Sequence, residues 1–213
     1  MNFNQFLNSI SKIENIPLPA EASQFKMSPP FRLKLQELQK DKINQAKKAG
    51  VMALFYPDRK MQTKLVLILR KTYKGVHSAQ VGFPGGKLEE EDFSIQDAAL
   101  RETYEEIGVS IQSIKVLKEM TQVYIPPSNF FVQPYIGITK ETPRFIKQDD
   151  EVEDIIEVTL NDFLDDTNII IERVSTSYKV NVDVPAFKLN DHVVWGATAM
   201  MLSEIKDLLK EMI

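Results

Sequence analysis

Residues 85 to 109 read GGKLEEEDFSIQDAALRETYEEIGV. The segment opens with two glycines, Gly85 and Gly86, which permit a tight backbone turn that can approach an anion or a metal ion. Ser94 can cap a helix, and Gly108 is suited to end that helix. The pattern therefore predicts a glycine turn, a short loop and a single helix.

Three glutamates lie on one side of this predicted helix. With an advance of about 100° per residue, Glu102, Glu105 and Glu106 fall within roughly a 100° arc. Carboxylates this close repel one another unless water or cations neutralise them, and hard divalent cations such as Mg²⁺ and Mn²⁺ prefer oxygen ligands. Arg101 precedes Glu105 by one helical turn, so its guanidinium can hold that carboxylate in one rotamer. The helix is a candidate divalent-metal site.

A solvated surface is the alternative interpretation of this helix. Glutamate-rich helices with charge pairs are common, and the letters RETYEE alone favour that interpretation. The combination of FPGG, a helix that carries RETYEE, and a glycine stop requires more residues at fixed positions, so it arises by chance much less often than RETYEE alone. This combination favours a functional site.

The composition excludes several classes of function. The 213 residues carry a formal net charge of −4, which indicates no broad basic surface for nucleic acid. The chain has no cysteine, which excludes disulfides, thiolate nucleophiles and cysteine metal ligands. The N-terminus shows no targeting pattern, and no segment is apolar over the length that crosses a bilayer. We expect a cytoplasmic protein that binds neither nucleic acid nor membrane.

The residue pattern of the sequence changes near residue 50. Before this point, apolar residues at spacings of three and four in residues 3 to 16 predict a short helix, and helix-forming residues continue to Gly50. After this point, β-branched and aromatic runs predict strands, followed by a helix from Trp195, a residue that we expect to pack in the core. The predicted strands are 51–57, 64–71, 114–125, 131–139, 152–159, 168–176 and 178–189. We expect an N-terminal helical arm, residues 1–49, and a main α/β domain with a mixed sheet, residues 50–213.

Residues 85 to 109 resemble the Nudix box, whose pattern is Gly, five residues, Glu, seven residues, then Arg-Glu-U-X-Glu-Glu-X-Gly-U, where U is apolar. The matching residues are Arg101, Glu102, Glu105, Glu106, Gly108 and Val109. Asp92 stands in place of the first Glu, with one extra residue before Arg101, and Thr103 stands at an apolar position. The resemblance implies a Nudix-type α/β/α sandwich around a mixed sheet. It also implies metal-dependent hydrolysis of a nucleoside diphosphate that is linked to another moiety.

The longer front half of the box is similar to that of the coenzyme A pyrophosphatase branch of this family. Three flanking segments are similar as well: VHSAQVGFPGGK, YIPPSNFFVQPYIG and VVWGATAMMLSEI. Ala79 and Gly82 stand where this branch has Gly and Ser, which bears on substrate preference more than on chemistry. The resemblance implies that coenzyme A or a derivative is cleaved to 3′,5′-ADP and 4′-phosphopantetheine or its acyl form.

The resemblance also implies catalytic roles. The expected ligands of Mg²⁺ or Mn²⁺ are the three box glutamates and the carbonyl of a glycine, namely Glu102, Glu105, Glu106 and Gly86. Arg101 orients the carboxylates. Glu105 or Glu106 activates the attacking water, and Glu151 in the acidic segment QDDEVEDI is a further candidate, although acidic segments of this kind are more often solvated loops.

The substrate of this branch carries an additional 3′-phosphate, which calls for cations. The expected substrate-binding residues are Arg70, Lys71, His77, Gly85, Lys87, Ser128 and Asn129, with Lys74 as another candidate cation. Ordinary surface lysines, and a structural corner at PPSN, are the alternatives that composition leaves open.

Other functions remain open at this point. One is a Nudix hydrolase that acts on ADP-ribose, NADH or a dinucleoside polyphosphate. Another is a non-catalytic, nucleotide-sensing Nudix domain, although such domains generally lose the box glutamates that are retained here. The apolar stripe of Phe3, Phe6 and Ile10 is suited to a homodimer contact or to a lid.

Overall fold

The structure is a computed structural model that describes residues 1–72, 79–175 and 181–213. Its helices are α1 Phe3–Ser9, α2 Ala20–Gln24, α3 Arg32–Leu38, α4 Ile95–Ile107, α5 Leu160–Leu164 and α6 Gly196–Lys210. Its strands are β1 Lys47–Pro57, β2 Thr63–Arg70, β3 Val81–Gly82, β4 Gly85–Lys87, β5 Lys115–Glu119, β6 Val123–Ile125, β7 Phe130–Ile138, β8 Val152–Thr159, β9 Ile169–Ser175, β10 Asn181–Leu189 and β11 His192–Trp195. Within these described ranges, no helix is both long enough and apolar enough to cross a membrane.

A mixed sheet forms the centre of the fold, as the sequence predicted. Its strands follow the order β3-β2-β1-β7-β5, in which β1 runs parallel to β7 and antiparallel to β2. β8 pairs with β2, β4 with the first half of β1, and β6 with β7. A second, antiparallel sheet has the order β11-β10-β9. The strands that carry the candidate site therefore meet around β1.

Side chains of β1 alternate between two hydrophobic cores, because successive residues of a strand point to opposite faces. Met52, Leu54 and Tyr56 pack with α4 on one face. Val51, Ala53 and Phe55 pack with α6 and with the N-terminal helices on the other face; the buried residues of α6 in this core include Ala199, Leu202, Ile205 and Leu208. The α/β/α sandwich that the resemblance implied is confirmed.

The N-terminal stripe belongs to the main core. Phe3, Phe6 and Ile10 are almost fully buried within the same cluster as α6. Glu204, buried on α6, accepts hydrogen bonds from the Ala20 N–H (3.2 Å) and from Gln24 Nε2 (3.0 Å). The stripe is covered by this chain itself, so a homodimer contact through it would require these side chains to leave the core.

The end of the N-terminal arm differs from the prediction. Helix-forming residues were expected to continue to Gly50, but α3 ends at Leu38 and β1 begins at Lys47. Residues 47–55 pair in register with β7, and Ala49 and its neighbours pair with β4. These long-range hydrogen bonds override the local helix propensity of the lysine-rich segment. The strand thus begins three residues before the domain boundary expected at residue 50.

The second half of the main domain follows the predicted order. Strands β8, β9 and β10 fall within or close to the three segments predicted from residue 152 onward, and α6 begins directly after Trp195. The predicted strand at 114–125 is divided into β5 and β6, and the short elements α5 and β11 were not predicted. These short elements have too few residues to show a clear periodicity.

Candidate metal and diphosphate site

The ends of α4 fix where the acidic residues point, and both ends are as predicted. The Ser94 side chain accepts a hydrogen bond from the Asp97 N–H at the start of the helix. At the other end, Gly108 has the left-handed conformation (φ 74°), and its N–H donates to the Tyr104 carbonyl. Thr103, which occupies an apolar position of the box, is buried, and its hydroxyl donates to the Ala99 carbonyl (2.6 Å). The Thr103 hydroxyl is therefore hydrogen-bonded although it lies inside the core.

Three carboxylates converge in front of this helix. Oxygens of Glu102, Glu106 and Glu151 all lie within 4.8 Å of one another. Glu151 is exposed, while Glu106 is fully buried. Glu105 lies outside this group, with its side chain 51% exposed. The structure thus brings together two expected ligands and the candidate from the acidic segment.

Glu106 has the most constrained carboxylate of the three. Its Oε2 accepts a hydrogen bond from the Gly85 N–H (2.8 Å), and its Oε1 lies 3.0 Å from Arg70 Nη1. Despite that short ion-pair distance, no described donor has a hydrogen directed at Oε1. Burial raises the pKa of Glu106 to about 7, with Arg70 and the Gly85 N–H opposing that rise and the other two carboxylates adding to it.

Arg101 joins the front half of the box to the helix. Its Nε and Nη2 each lie 3.0 Å from an oxygen of Asp92, and its Nη1 donates to Glu102 (3.0 Å) and Glu105 (2.9 Å). The guanidinium beside Asp92 holds the pKa of that carboxyl below its usual range. Asp92, which differs from the Glu of the family pattern, therefore still anchors the arginine.

The glycine turn lies directly against these carboxylates. Gly85 has φ 144°, a conformation that L side chains rarely adopt, and its carbonyl accepts a hydrogen bond from Arg70 Nη2 (2.7 Å). A Cβ added at Gly86 would lie 2.3 Å from the Glu102 carboxylate. Gly85 therefore requires glycine because of its backbone conformation, whereas a side chain at Gly86 would displace the Glu102 carboxylate from its place against the turn.

Only some of the expected substrate-binding residues line a common cavity in the structure. Arg70, Gly85 and Lys87 line a cavity beside the glycine turn, whereas Lys71 does not line it. Arg70 is also engaged by Glu106, so its guanidinium positions that carboxylate as well. Lys74 and His77 lie outside the described residues.

The PPSN segment forms a corner, which was the alternative interpretation. Asn129 has the left-handed conformation, its Oδ1 accepts from the Tyr124 hydroxyl (2.8 Å), and its Nδ2 donates to the Lys42 carbonyl (3.2 Å). Neither Ser128 nor Asn129 lines the cavity, but Pro126 and Pro127 do.

The cavity has a volume of about 360 Å³, which is in the range of small-molecule sites. Its wall is mainly apolar and combines the glycine turn, the proline corner, the start of α6 and the N-terminal arm. Trp195 lines it and is only half-buried, although it was expected to pack in the core. The contributions of Phe31 and Arg32 were missed, because no local sequence signal shows where the segment after Pro29 and Pro30 lies.

The donor set fits a hard divalent cation. A fully buried carboxylate oxygen without a directed hydrogen bond, Glu106 Oε1, lies beside two further carboxylates. Burial also raises the pKa of Glu102. A dication would offset this repulsion with the oxygen ligands that Mg²⁺ and Mn²⁺ prefer.

The burial of Glu106 should make the stability of the metal-free protein depend on pH. Its pKa rises from 4.5 to about 7 in the folded state, so between these values the folded state keeps a proton that the unfolded state releases. This contribution is complete below about pH 4.5 and is lost as the pH rises through about 7, with a total on the order of 3 kcal/mol. In the presence of a chelator, we expect the unfolding midpoint of wild type to fall more than that of Glu106→Gln between about pH 5 and about pH 8.

Added cation provides the control for this pH dependence. At about pH 8, Mg²⁺ or Mn²⁺ should raise the midpoint of wild type, because it compensates the buried charge, and should raise that of Glu106→Gln much less. Equal pH dependence of the two proteins would falsify the assignment of the buried charge to Glu106.

Comparison with known proteins supports the box assignment. Residues 46–176 match the NUDIX domain family model. The peroxisomal coenzyme A diphosphatase ndx-8 of Caenorhabditis elegans is 28% identical over 155 residues, which cover 72% of this chain and 64% of that relative. The chain thus spans less than two thirds of the length of this relative. A NudL Nudix hydrolase of Pectobacterium atrosepticum is 30% identical over 148 residues, covering 66% of this chain and 72% of the relative.

A solved structure of a MutT/nudix family protein from Enterococcus faecalis has a TM-score of 0.47 at 17% identity, covering 78% of this chain and 62% of that one. The Caenorhabditis elegans relative is named as a peroxisomal protein. A cytoplasmic location for this chain therefore stays a prediction. The family model matches more than half of the chain and includes the glycine turn, α4 and Glu151. The chain belongs to the Nudix family.

Proposed function

We propose that the chain hydrolyses the diphosphate of coenzyme A or one of its derivatives, with 3′,5′-ADP and 4′-phosphopantetheine or its acyl form as products. The observation that carries the hydrolysis is the convergence of Glu102, Glu106 and Glu151 beside the glycine turn. The choice of coenzyme A is supported by the relative named as a coenzyme A diphosphatase. The three flanking segments that resemble this branch also support it.

We assign the binding of Mg²⁺ or Mn²⁺ to Glu102, Glu106 and Glu151. A bound cation supplies positive charge for the diphosphate oxygens and lowers the pKa of water. The chain itself fixes the carboxylates: the Gly85 N–H and Arg70 hold Glu106. Arg101 in the same way holds Glu102. Gly86, whose carbonyl was an expected ligand, lies against the Glu102 carboxylate.

In addition to its role as a ligand, we assign to Glu151 the acceptance of the proton from the attacking water. It is the exposed member of the acid group, and its backbone is held by bonds to Lys71 and Gln148, both of 2.9 Å. Glu106 is buried and already bonded, and Glu105 is paired with Arg101. A base must reach the water from which it takes the proton, and the exposed carboxylate meets this condition.

The glycine turn and two cations are suited to the diphosphate. Gly85 and Gly86 allow close approach of the backbone, and Arg70 and Lys87 line the same cavity. Roles for Lys71, His77, Ser128 and Asn129 in substrate binding stay predictions.

Steady-state hydrolysis of a substrate panel tests this proposal. Coenzyme A, ADP-ribose, NADH and a dinucleoside polyphosphate are each supplied with Mg²⁺ or Mn²⁺, and chelator-treated protein is the control. We expect coenzyme A to have the highest kcat/KM and chelation to stop its hydrolysis. Turnover of ADP-ribose without any cleavage of coenzyme A would contradict the assigned substrate.

A further inference from the structure

The N-terminal arm forms one wall of the cavity at the candidate site. Phe31, Arg32 and Leu35 line this cavity together with Gly85 and Gly86 of the glycine turn. A substrate whose diphosphate lies at the turn can therefore extend one of its two halves along the arm. Ala20 and Gln24 of the arm donate hydrogen bonds to Glu204 of α6, and Arg32 in the wall donates to the Tyr124 carbonyl, so this wall is tied to the main domain.

The charge of the cavity wall is positive although the chain is acidic overall. Among the described residues that line the cavity there is no aspartate or glutamate, while Arg32, Arg70 and Lys87 are present. The formal net charge of the whole chain is −4. Arg70 already has a counter-charge in Glu106, and Lys87 is exposed at the surface. Arg32 is the half-buried cation of the arm wall.

Arg32 has no acidic partner within the described part of the chain. Its Nη2 donates to the Tyr124 carbonyl, and no carboxylate in residues 1–72, 79–175 or 181–213 forms an ion pair with it. Burial lowers its pKa, the direction expected when a cation loses water without gaining a counter-charge. Partly buried charges are normally paired, so an anionic group of a ligand would complete this site.

We propose that Arg32 binds a phosphoryl group that the nucleoside half of the substrate carries in addition to its diphosphate. In coenzyme A this group is the 3′-phosphate, and the inference in this form rests on the function proposed above. A neutral pantetheine chain would leave the guanidinium without a counter-charge, whereas a phosphorylated nucleoside supplies one and presents a flat base to the apolar wall. Arg32 is thus a specificity-determining residue contributed by the arm.

Equilibrium binding to the full-length protein tests the proposal without any need for turnover. The probes are 3′,5′-ADP and 5′-AMP, which differ only in the 3′-phosphate, and calorimetry gives both dissociation constants. We expect wild type to prefer 3′,5′-ADP, and Arg32→Gln to weaken 3′,5′-ADP about 10- to 100-fold while leaving 5′-AMP nearly unchanged. Arg32→Lys keeps the charge and should retain part of the preference.

Lys34→Gln is the matched control, because Lys34 is an exposed cation on the same helix and does not line the cavity. It should bind both probes like wild type. Equal weakening of both probes in Arg32→Gln would show a structural role through Tyr124, and weakening of 4′-phosphopantetheine instead of 3′,5′-ADP would place the other half of the substrate in the cavity. Either result overturns the proposal.

Hydrolysis assays distinguish a failure of the role assigned to Arg32 from a failure of the proposed function. Wild type and Arg32→Gln are compared on coenzyme A and on dephospho-coenzyme A, which lacks the 3′-phosphate. We expect the variant to lose kcat/KM for coenzyme A by a similar factor, with little change for dephospho-coenzyme A. No hydrolysis of either compound would overturn the proposed function, while the binding preference would still confirm or reject the role of Arg32.

Discussion

Replacing Glu106 with Gln is expected to reduce hydrolysis by about 10³-fold or more while the fold is retained. Glutamine has nearly the same shape, and its amide oxygen can still accept the hydrogen bond that the Gly85 N–H donates (2.8 Å). The change removes the negative charge from the buried member of the acid group. Steady-state kinetics at saturating Mg²⁺ or Mn²⁺ would measure the effect, and circular dichroism would check the fold.

Glu105→Gln is the matched comparison, because it makes the same change one position earlier on the same helix. Glu105 is half exposed and lies outside the group formed by Glu102, Glu106 and Glu151. We expect a smaller loss from this variant, which acts through its pairing with Arg101. If Glu105→Gln were the more damaging change, or if Glu106→Gln kept near wild-type turnover, the assignment of the acid group would be wrong.

Gly50→Ala is expected to cause the largest loss of stability, on the order of 3 kcal/mol. A Cβ at this position would lie 2.2 Å from the backbone carbonyl of Ile95 and 3.0 Å from the Ala99 Cβ. Backbone cannot move aside as a flexible side chain can, so α4 would have to shift away from β1. Thermal unfolding should show a midpoint lower by roughly 6 to 12 °C.

Gly82→Ala is the control for this change. A Cβ at Gly82 would meet Thr198 Oγ1 at 3.8 Å, an ordinary van der Waals distance, so its unfolding midpoint should stay close to that of wild type. Equal midpoints for the two variants would contradict the close packing of α4 on β1. Because α4 carries the glutamates, Gly50→Ala should also lower activity at temperatures where it remains folded.

The parts of the site that the sequence predicts well are those with local causes. The start and the end of α4 depend on Ser94 and Gly108, each within one turn of the residues that it serves. The acid face follows from helical spacing alone. The family was indicated by the resemblance of residues 85 to 109 to the Nudix box. Helical spacing alone could not have indicated it.

The parts that were missed depend on contacts between distant segments. β1 begins at Lys47 because β4 and β7 pair with it, and nothing in the lysine-rich segment itself indicates this. Arg70 was expected to contact substrate, yet it is also placed to hold Glu106. Arg32 reaches the cavity only because the arm folds back beside the proline corner. Glu151 could be named as a candidate from its acidic neighbourhood, but its selection required the folded structure.

The masses of the products formed from coenzyme A test the central claim most directly. Wild-type protein is incubated with coenzyme A and Mg²⁺ or Mn²⁺, and the mixture is analysed by mass spectrometry. Hydrolysis of the diphosphate predicts equal amounts of 3′,5′-ADP and 4′-phosphopantetheine, and neither product when a chelator is present. Intact coenzyme A, or the release of inorganic phosphate with dephospho-coenzyme A, would contradict the claim.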